Sequence, residues 1–180
     1  MASANHRPKP YFGRAGGAPD NTRAESSRPT LAGRQQSAPE FFTDDAIGTG
    51  LRLYIAEEQQ ILREAYQSFF LPHPAFDVVG TSGDTSVDAL RGAAAALQPN
   101  VILLGIKVLH ADTVEKLVRV REASPGIAVA MLSASYDVKG IKALREFSRG
   151  ASVGCAYLLK HTIDTVDQLV QVVQAVSEGR

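Results

Sequence analysis

Two adjacent carboxylates, Glu57 and Glu58, directly follow the apolar run LRLYIA (51–56). Three further residues hold comparable places: Gly105 closes VILLG, Ser133 follows IAVAML, and Lys160 closes AYLLK. Acids, a hydroxyl and an amine are the groups that bind cations and oxyanions once a fold collects them. Taken singly, each has a plainer role. Neighbouring glutamates ahead of a helix favour its positive end, Ser133 can satisfy nearby backbone, and Lys160 alone is a solvated amine. Gly105 is the odd member, since it brings no functional group. Its plain role is a backbone conformation closed to other residues.

Other candidates carry less. His6, His73, His110 and His161 lack the close spacing of structural zinc sites, and the single cysteine, Cys155, cannot staple a fold. His110 is expected to face solvent in the loop before the third helix, and Cys155 to be a small buried residue. GTSGDTS (80–86) lacks the Gly-Lys-Ser or Gly-Lys-Thr that completes a P-loop, so a loop capping the second helix is expected.

The elements that must position these groups follow from periodicity. LRLYIA, FDVVG, VILLG, IAVAML and AYLLK read as strands. Between and after them run helical stripes: Ile61, Leu62, Ala65, Tyr66 and Phe69; then Val87, Leu90, Ala94 and Leu97; then Val114, Leu117 and Val118; then Ile141, Leu144 and Phe147. A fifth stripe, Val166, Leu169, Val170, Val173 and Val176, stands behind a capping box of Thr165 and Gln168. Pro99-Asn100 and Ser124-Pro125-Gly126 break the chain where the second and third helices should end. Strict alternation of five strands and five helices implies a parallel sheet covered on both faces. Ile102, Leu103 and Leu104 agree, being apolar without alternation. In such sheets the site lies at the carboxyl ends of the strands, which is where the residues named above stand.

Composition bounds the rest. With 180 residues, 44% of them apolar, one core is expected, and 19 basic against 19 acidic residues leave no net field toward nucleic acid or membrane. No run approaches the roughly 20 apolar residues of a membrane span, and no secretory signal opens the chain, so a cytoplasmic protein without membrane contact is expected. Residues 1–50, rich in Gly, Pro, Ser, Ala and Arg, read as a disordered tail, and residues 51–180 as the folded domain.

The ordered set LYIAEEQQILREAYQSFF, FDVVG, QPNVILLGIKV, MLSASYD and AYLLK resembles the receiver domain of two-component response regulators, of the type preceding a LuxR-like helix-turn-helix. The resemblance spans about Leu51 to Arg180. It implies a flavodoxin-like, doubly wound (βα)5 α/β fold with a five-stranded parallel sheet in the order 2-1-3-4-5. It also implies a site in which an acidic pair and an aspartate ending the third strand bind Mg²⁺. That aspartate takes a phosphoryl group, which a hydroxyl and a lysine then hold.

Here Glu57 and Glu58 take the acidic pair's place, as glutamates, Ser133 the hydroxyl's, Lys160 the lysine's and Tyr157 that of the aromatic switch. Gly105 stands where the nucleophile should be. Lys107 falls where the family offers a main-chain carbonyl. The expectation is an atypical pseudo-receiver, not an enzyme, with no cofactor. Mg²⁺ would lack an anionic ligand, Glu57 and Glu58 being its only candidates, and Lys160 or Lys107 should neutralise those acids instead. GASVGCAYLLK lengthens the connection into the fifth strand, which directs attention to the face of the fourth helix, fifth strand and fifth helix for a protein partner or homodimer. DNA would be reached through an effector domain, since the chain ends at AVSEGR, about where such a linker begins. A different class of function remains open: a small-ligand or flavin-binding domain on the same scaffold.

Overall fold

A computed structural model of the chain describes residues 50–149 and 153–179; the expected N-terminal tail lies outside them. Five strands alternate with five helices: β1 (Leu51–Glu57), α1 (Gln60–Phe70), β2 (Phe76–Ser82), α2 (Val87–Leu97), β3 (Val101–Leu109), α3 (Ala111–Ala123), β4 (Ala128–Tyr136), α4 (Val138–Arg149), β5 (Cys155–Leu159) and α5 (Val166–Ser177), with a 3-10 turn, Lys160–Thr162, before the last helix. The sheet order is β2-β1-β3-β4-β5 and every pairing is parallel. The expected fold class and strand order are those observed.

Strand alternation divides the interior into two cores. Leu53, Ile55, Leu103, Ala130 and Leu132 pack under α1 and α5, against Phe70, Leu169 and Val173. Tyr54, Ala56, Ile102, Leu104, Val129 and Met131 pack under α2, α3 and α4, against Leu90, Leu117 and Leu144.

The loops follow their sequence signals. Ser86 caps α2, its Oγ accepting from the Ala89 N–H at 3.3 Å, so GTSGDTS serves a helix start. At the other end of α2, Gln98 adopts φ 45° and Arg52 from β1 donates to the Leu97 and Gln98 carbonyls at 2.6 and 3.3 Å, placing a cation on the negative helix end. Thr165 caps α5 by accepting from the Gln168 N–H, while the Gln168 amide oxygen returns to the Asp164 N–H, one residue earlier than a capping box has it.

Three expectations need correction. Strands β3 and β4 do not stop at Gly105 and Leu132: both run four residues further, paired as far as Leu109 and Tyr136. The α1 stripe is rotated, for Ile61 is 76% exposed while Phe70, outside the stripe, is fully buried. In α3, Val118 is exposed and Val120 takes its place in the core. The helices sit on a twisted sheet flanked by neighbours, and that geometry selects the buried face among several adjacent apolar residues.

At the start of β5 backbones meet closely. A β carbon on Gly154 would lie 1.9 Å from the Val176 carbonyl oxygen in α5, so only glycine lets this helix settle on the strand. Gly154→Ala is expected to cost about 1–3 kcal/mol through overpacking, measured by urea unfolding. A loss below about 0.5 kcal/mol, the range of neutral surface changes, would show that α5 moves aside freely.

Candidate functional site

β1 and β3 lie side by side at the carboxyl end of the sheet, with Glu57 directly opposite Gly105. Glu57 is the last residue of β1, not the first of the loop, and its side chain is fully buried. One carboxylate oxygen, Oε1, accepts from Lys160 Nζ at 2.7 Å and from the Gln59 N–H at 2.9 Å. Lys160 is itself only 10% exposed, carried in by the 3-10 turn after β5. Its ammonium also reaches the Gln59 side-chain oxygen at 3.2 Å. The other carboxylate oxygen, Oε2, is buried without a hydrogen-bond partner.

That second oxygen lies against Gly105. A β carbon on Gly105 would lie 1.7 Å from Glu57 Oε2 and 2.5 Å from Glu57 Cδ, distances at which two atoms cannot coexist. Backbone conformation is not the reason for the glycine: among the described residues the one glycine with positive φ is Gly179. The carboxylate from β1 occupies the space that a side chain on β3 would need.

Glu58 is exposed and turns the other way. Its oxygens accept from Thr85 Oγ1 at 3.1 Å and from the Lys107 N–H at 3.0 Å. Lys107 therefore meets the acidic pair with its main chain, and its ammonium forms no ion pair among the described residues. Of the two lysines expected to neutralise these acids, Lys160 pairs with Glu57 and Lys107 pairs with neither. Glu58, Thr85, Lys107, His110 and Lys116 border a cavity of about 260 Å³.

Ser133 lies inside β4, fully buried, with its Oγ 2.8 Å from the Tyr157 hydroxyl. Neither the backbone nor Lys160 takes this hydroxyl, as might be read from a strand end; the expected aromatic switch does. Tyr157 packs with the α2–α3–α4 core, whereas Glu57 continues the strand phase of Leu53 and Ile55 on the α1–α5 side. The seven expected site residues thus fall into three groups: Glu57, Gly105 and Lys160 come together, Glu58 meets Lys107, and Ser133 meets Tyr157. His110 is exposed in the loop before α3, as expected, and its Nδ1 lies 2.6 Å from Asp137 Oδ2. That hydrogen bond and the Gly140 N–H hold the Asp137 carboxyl below its usual range.

Four residues of the site escaped the sequence reading. Gln59 and Thr85 hold the two glutamates, Arg63 donates to the Glu57 carbonyl at 2.8 Å, and Tyr66 stands near Glu57. Burial first, and the Glu57 charge second, push the Tyr66 phenol well above its ordinary value. Gln59 was findable as the first N–H after the acids; the others come from a turn or a loop away.

Compared with known structures, residues of this chain superpose on the signal receiver domain of the response regulator NarL from Mycobacterium tuberculosis with a TM-score of 0.57 at 20% identity, covering 74% of this chain and 100% of that one. This is a receiver fold. A DNA-binding response regulator of the LuxR family from Staphylococcus aureus gives 0.54 at 20% identity, over 71% of this chain and 98% of that one. The isolated receiver domain of RcsB from Salmonella enterica, solved with a phosphomimetic beryllofluoride, gives 0.55 at 14% identity, over 73% and 91%. No family model matches the sequence, and no curated protein does.

The receiver fold raises the question of Mg²⁺, and the donors present do not suit it. Gly105 offers no side-chain oxygen, Glu57 is sealed under Lys160, and both oxygens of Glu58 already accept hydrogen bonds. A hard cation that sheds water reluctantly and wants octahedral oxygens finds one exposed carboxylate here.

Breaking a buried ion pair strands the remaining charge, so Lys160→Met is expected to destabilise the protein by about 3–5 kcal/mol in urea at neutral pH. Adding Glu57→Gln should recover much of that loss. A cost for Lys160→Met within the 0–1 kcal/mol of a surface pair would show that water reaches Glu57.

Proposed function

We propose that this chain is a receiver-like signalling module that works without phosphoryl transfer, through contacts with protein partners or a second copy. One observation carries the reading: at the place for a phosphoacceptor there is a glycine, and the space beside it is filled by a carboxylate already neutralised by Lys160. A glycine has no oxygen to attack phosphorus, and the lysine that would hold a transferred phosphoryl group is engaged. The fold shared with response regulators supports a role in signal transduction. We place any transcriptional output in a LuxR-type DNA-binding domain acting alongside the receiver fold.

The interaction surface we propose is the face of α4, β5 and α5. There Arg145, Arg149 and Ile141 border a groove of about 450 Å³ that reaches Tyr157. Tyr157 thus links this surface to Ser133, giving a partner on the face a direct hold on the strand end. The flavin or small-ligand reading draws less support: among the described residues no phenyl or phenol ring borders the cavity beside Glu58 and Lys107, and where Tyr66 and Phe69 do line a cavity, its one cation, Lys160, is already paired with Glu57.

Titration with Mg²⁺ and beryllofluoride, followed by amide chemical shifts, should give no saturable change at Gly105, Ser133 or Tyr157. Saturation at millimolar metal would overturn the reading. If the α4–β5–α5 face self-associates, Arg145→Glu should weaken dimerisation by tenfold or more in sedimentation equilibrium; an unchanged association constant would move the interface elsewhere.

A further inference from the structure

Helices α3 and α4 carry two stripes of the same spacing and opposite charge. On α4, Val138, Lys142, Arg145 and Arg149 fall at i, i+4, i+7 and i+11, which keeps them on one seam of the helix. All four are exposed, Val138 at 82%, and among the described residues none of the three cations forms an ion pair. On α3, Ala111, Glu115, Val118 and Glu122 repeat that spacing step for step. Both glutamates are exposed, and neither forms an ion pair among the described residues. This second seam borders a groove of about 460 Å³ between the two helices, where Val114, Ala143 and Phe147 add apolar surface and Glu146 a further acid. Every residue lining the groove is apolar or a glutamate, and Arg121 stacks over the Phe147 ring, 3.8 Å from its centroid.

We infer that the α4 seam of one copy docks along the α3 seam of the next, head to tail and in parallel register, with Val138 on Ala111, Lys142 beside Glu115, the stem of Arg145 over Val118, and Arg149 beside Glu122. This rests on the reading of the chain as a module that works through a second copy, and it names the two surfaces that meet. Each seam spans eleven residue steps, about 16 Å at 1.5 Å per residue, so both ion pairs close in a single register. Antiparallel, Lys142 and Arg149 would face Val118 and Ala111, and only Arg145 would meet a glutamate. A symmetric contact of α4 on α4 would set Lys142, Arg145 and Arg149 against their own copies, and like charges across an interface oppose it. The two seams are different surfaces, so the contact is heterologous: every copy in a row offers one free seam of each kind to its neighbours, and the row either extends or closes into a ring.

The test is sedimentation equilibrium of the full chain at low salt, at concentrations up to about 1 mM, the range of weak contacts. The unchanged chain should pass beyond the mass of a dimer as concentration rises, and return toward monomer in about 1 M salt, where charges are screened within roughly 3 Å. Glu115→Lys spoils the α3 seam and Arg149→Glu the α4 seam, and each should weaken association tenfold or more. Both positions are exposed on helices, so thermal unfolding should stay within the small change of a surface substitution; Glu122→Lys replaces Glu115→Lys should that chain not fold. Mixed in equal amounts, the two variants hold one intact seam of each kind between them while their altered seams repel, so they should form a dimer of one each and stop there. Glu115→Lys and Lys142→Glu in the same chain exchange the charges of one pair and should restore growth.

An unchanged chain that stays monomeric would overturn the inference and leave the groove to a basic segment of another protein. So would growth that stops at a dimer, or a mixture that associates no better than its components. Association lost in Arg149→Glu but untouched by Glu115→Lys would refute the α3 seam while leaving the α4–β5–α5 face as the interface. Association that appears only on adding Mg²⁺ and beryllofluoride would instead overturn the phosphorylation-independent reading on which the inference rests.

Discussion

A carboxylate with no access to water is the constraint around which this end of the molecule is built. An ion transferred from water to a protein interior loses several kcal/mol of solvation even after relaxation, and only a close counter-charge with further hydrogen bonds offsets it. Glu57 obtains the counter-charge from Lys160 and a hydrogen bond from the Gln59 N–H. Those two donors come from the opposite ends of the domain's sequence, 103 residues apart in the case of the ion pair. Satisfying one side chain therefore fixes how the start of α1 and the 3-10 turn after β5 approach β1. Gly105 completes the arrangement by leaving room for it.

Around this pair the sheet distributes its polar groups by face. The period of two along each strand places Glu57 with the α1–α5 core, and Ser133 and Tyr157 with the α2–α3–α4 core. Glu58, at the next position, emerges into the open cavity, where backbone and hydroxyl donors from β3 and the loop before α2 meet it. Two adjacent residues of one type thus have unrelated environments. One is sealed and charge-paired, the other solvated and hydrogen-bonded to neutral donors.

The architecture was legible in the sequence because it is written in short-range signals. Five apolar runs, the third of them without alternation, helical stripes between them, and breakers such as Pro99-Asn100 specify a covered parallel sheet. The capping residues Ser86 and Thr165 stand where their helices begin. The site was legible as a set of residues at strand ends, but their pairing was not. Whether Lys160 or Lys107 neutralises the acids depends on side-chain reach across the sheet, which no local pattern records. Likewise the Ser133–Tyr157 bond joins neighbouring strands only once their register is set. The plainer role for Gly105, an unusual backbone, is not the one found: its φ is not positive, and the Glu57 carboxylate of the neighbouring strand stands where its β carbon would be.

The carboxylate beside Gly105 also bears on how the domain holds together as a unit. Its ion pair joins residues 103 apart in sequence, so it cannot close before β1 and the turn after β5 have been brought together by the strands between them. A contact of that span couples the first and last strands, and loosening either end of the domain exposes the same buried charge.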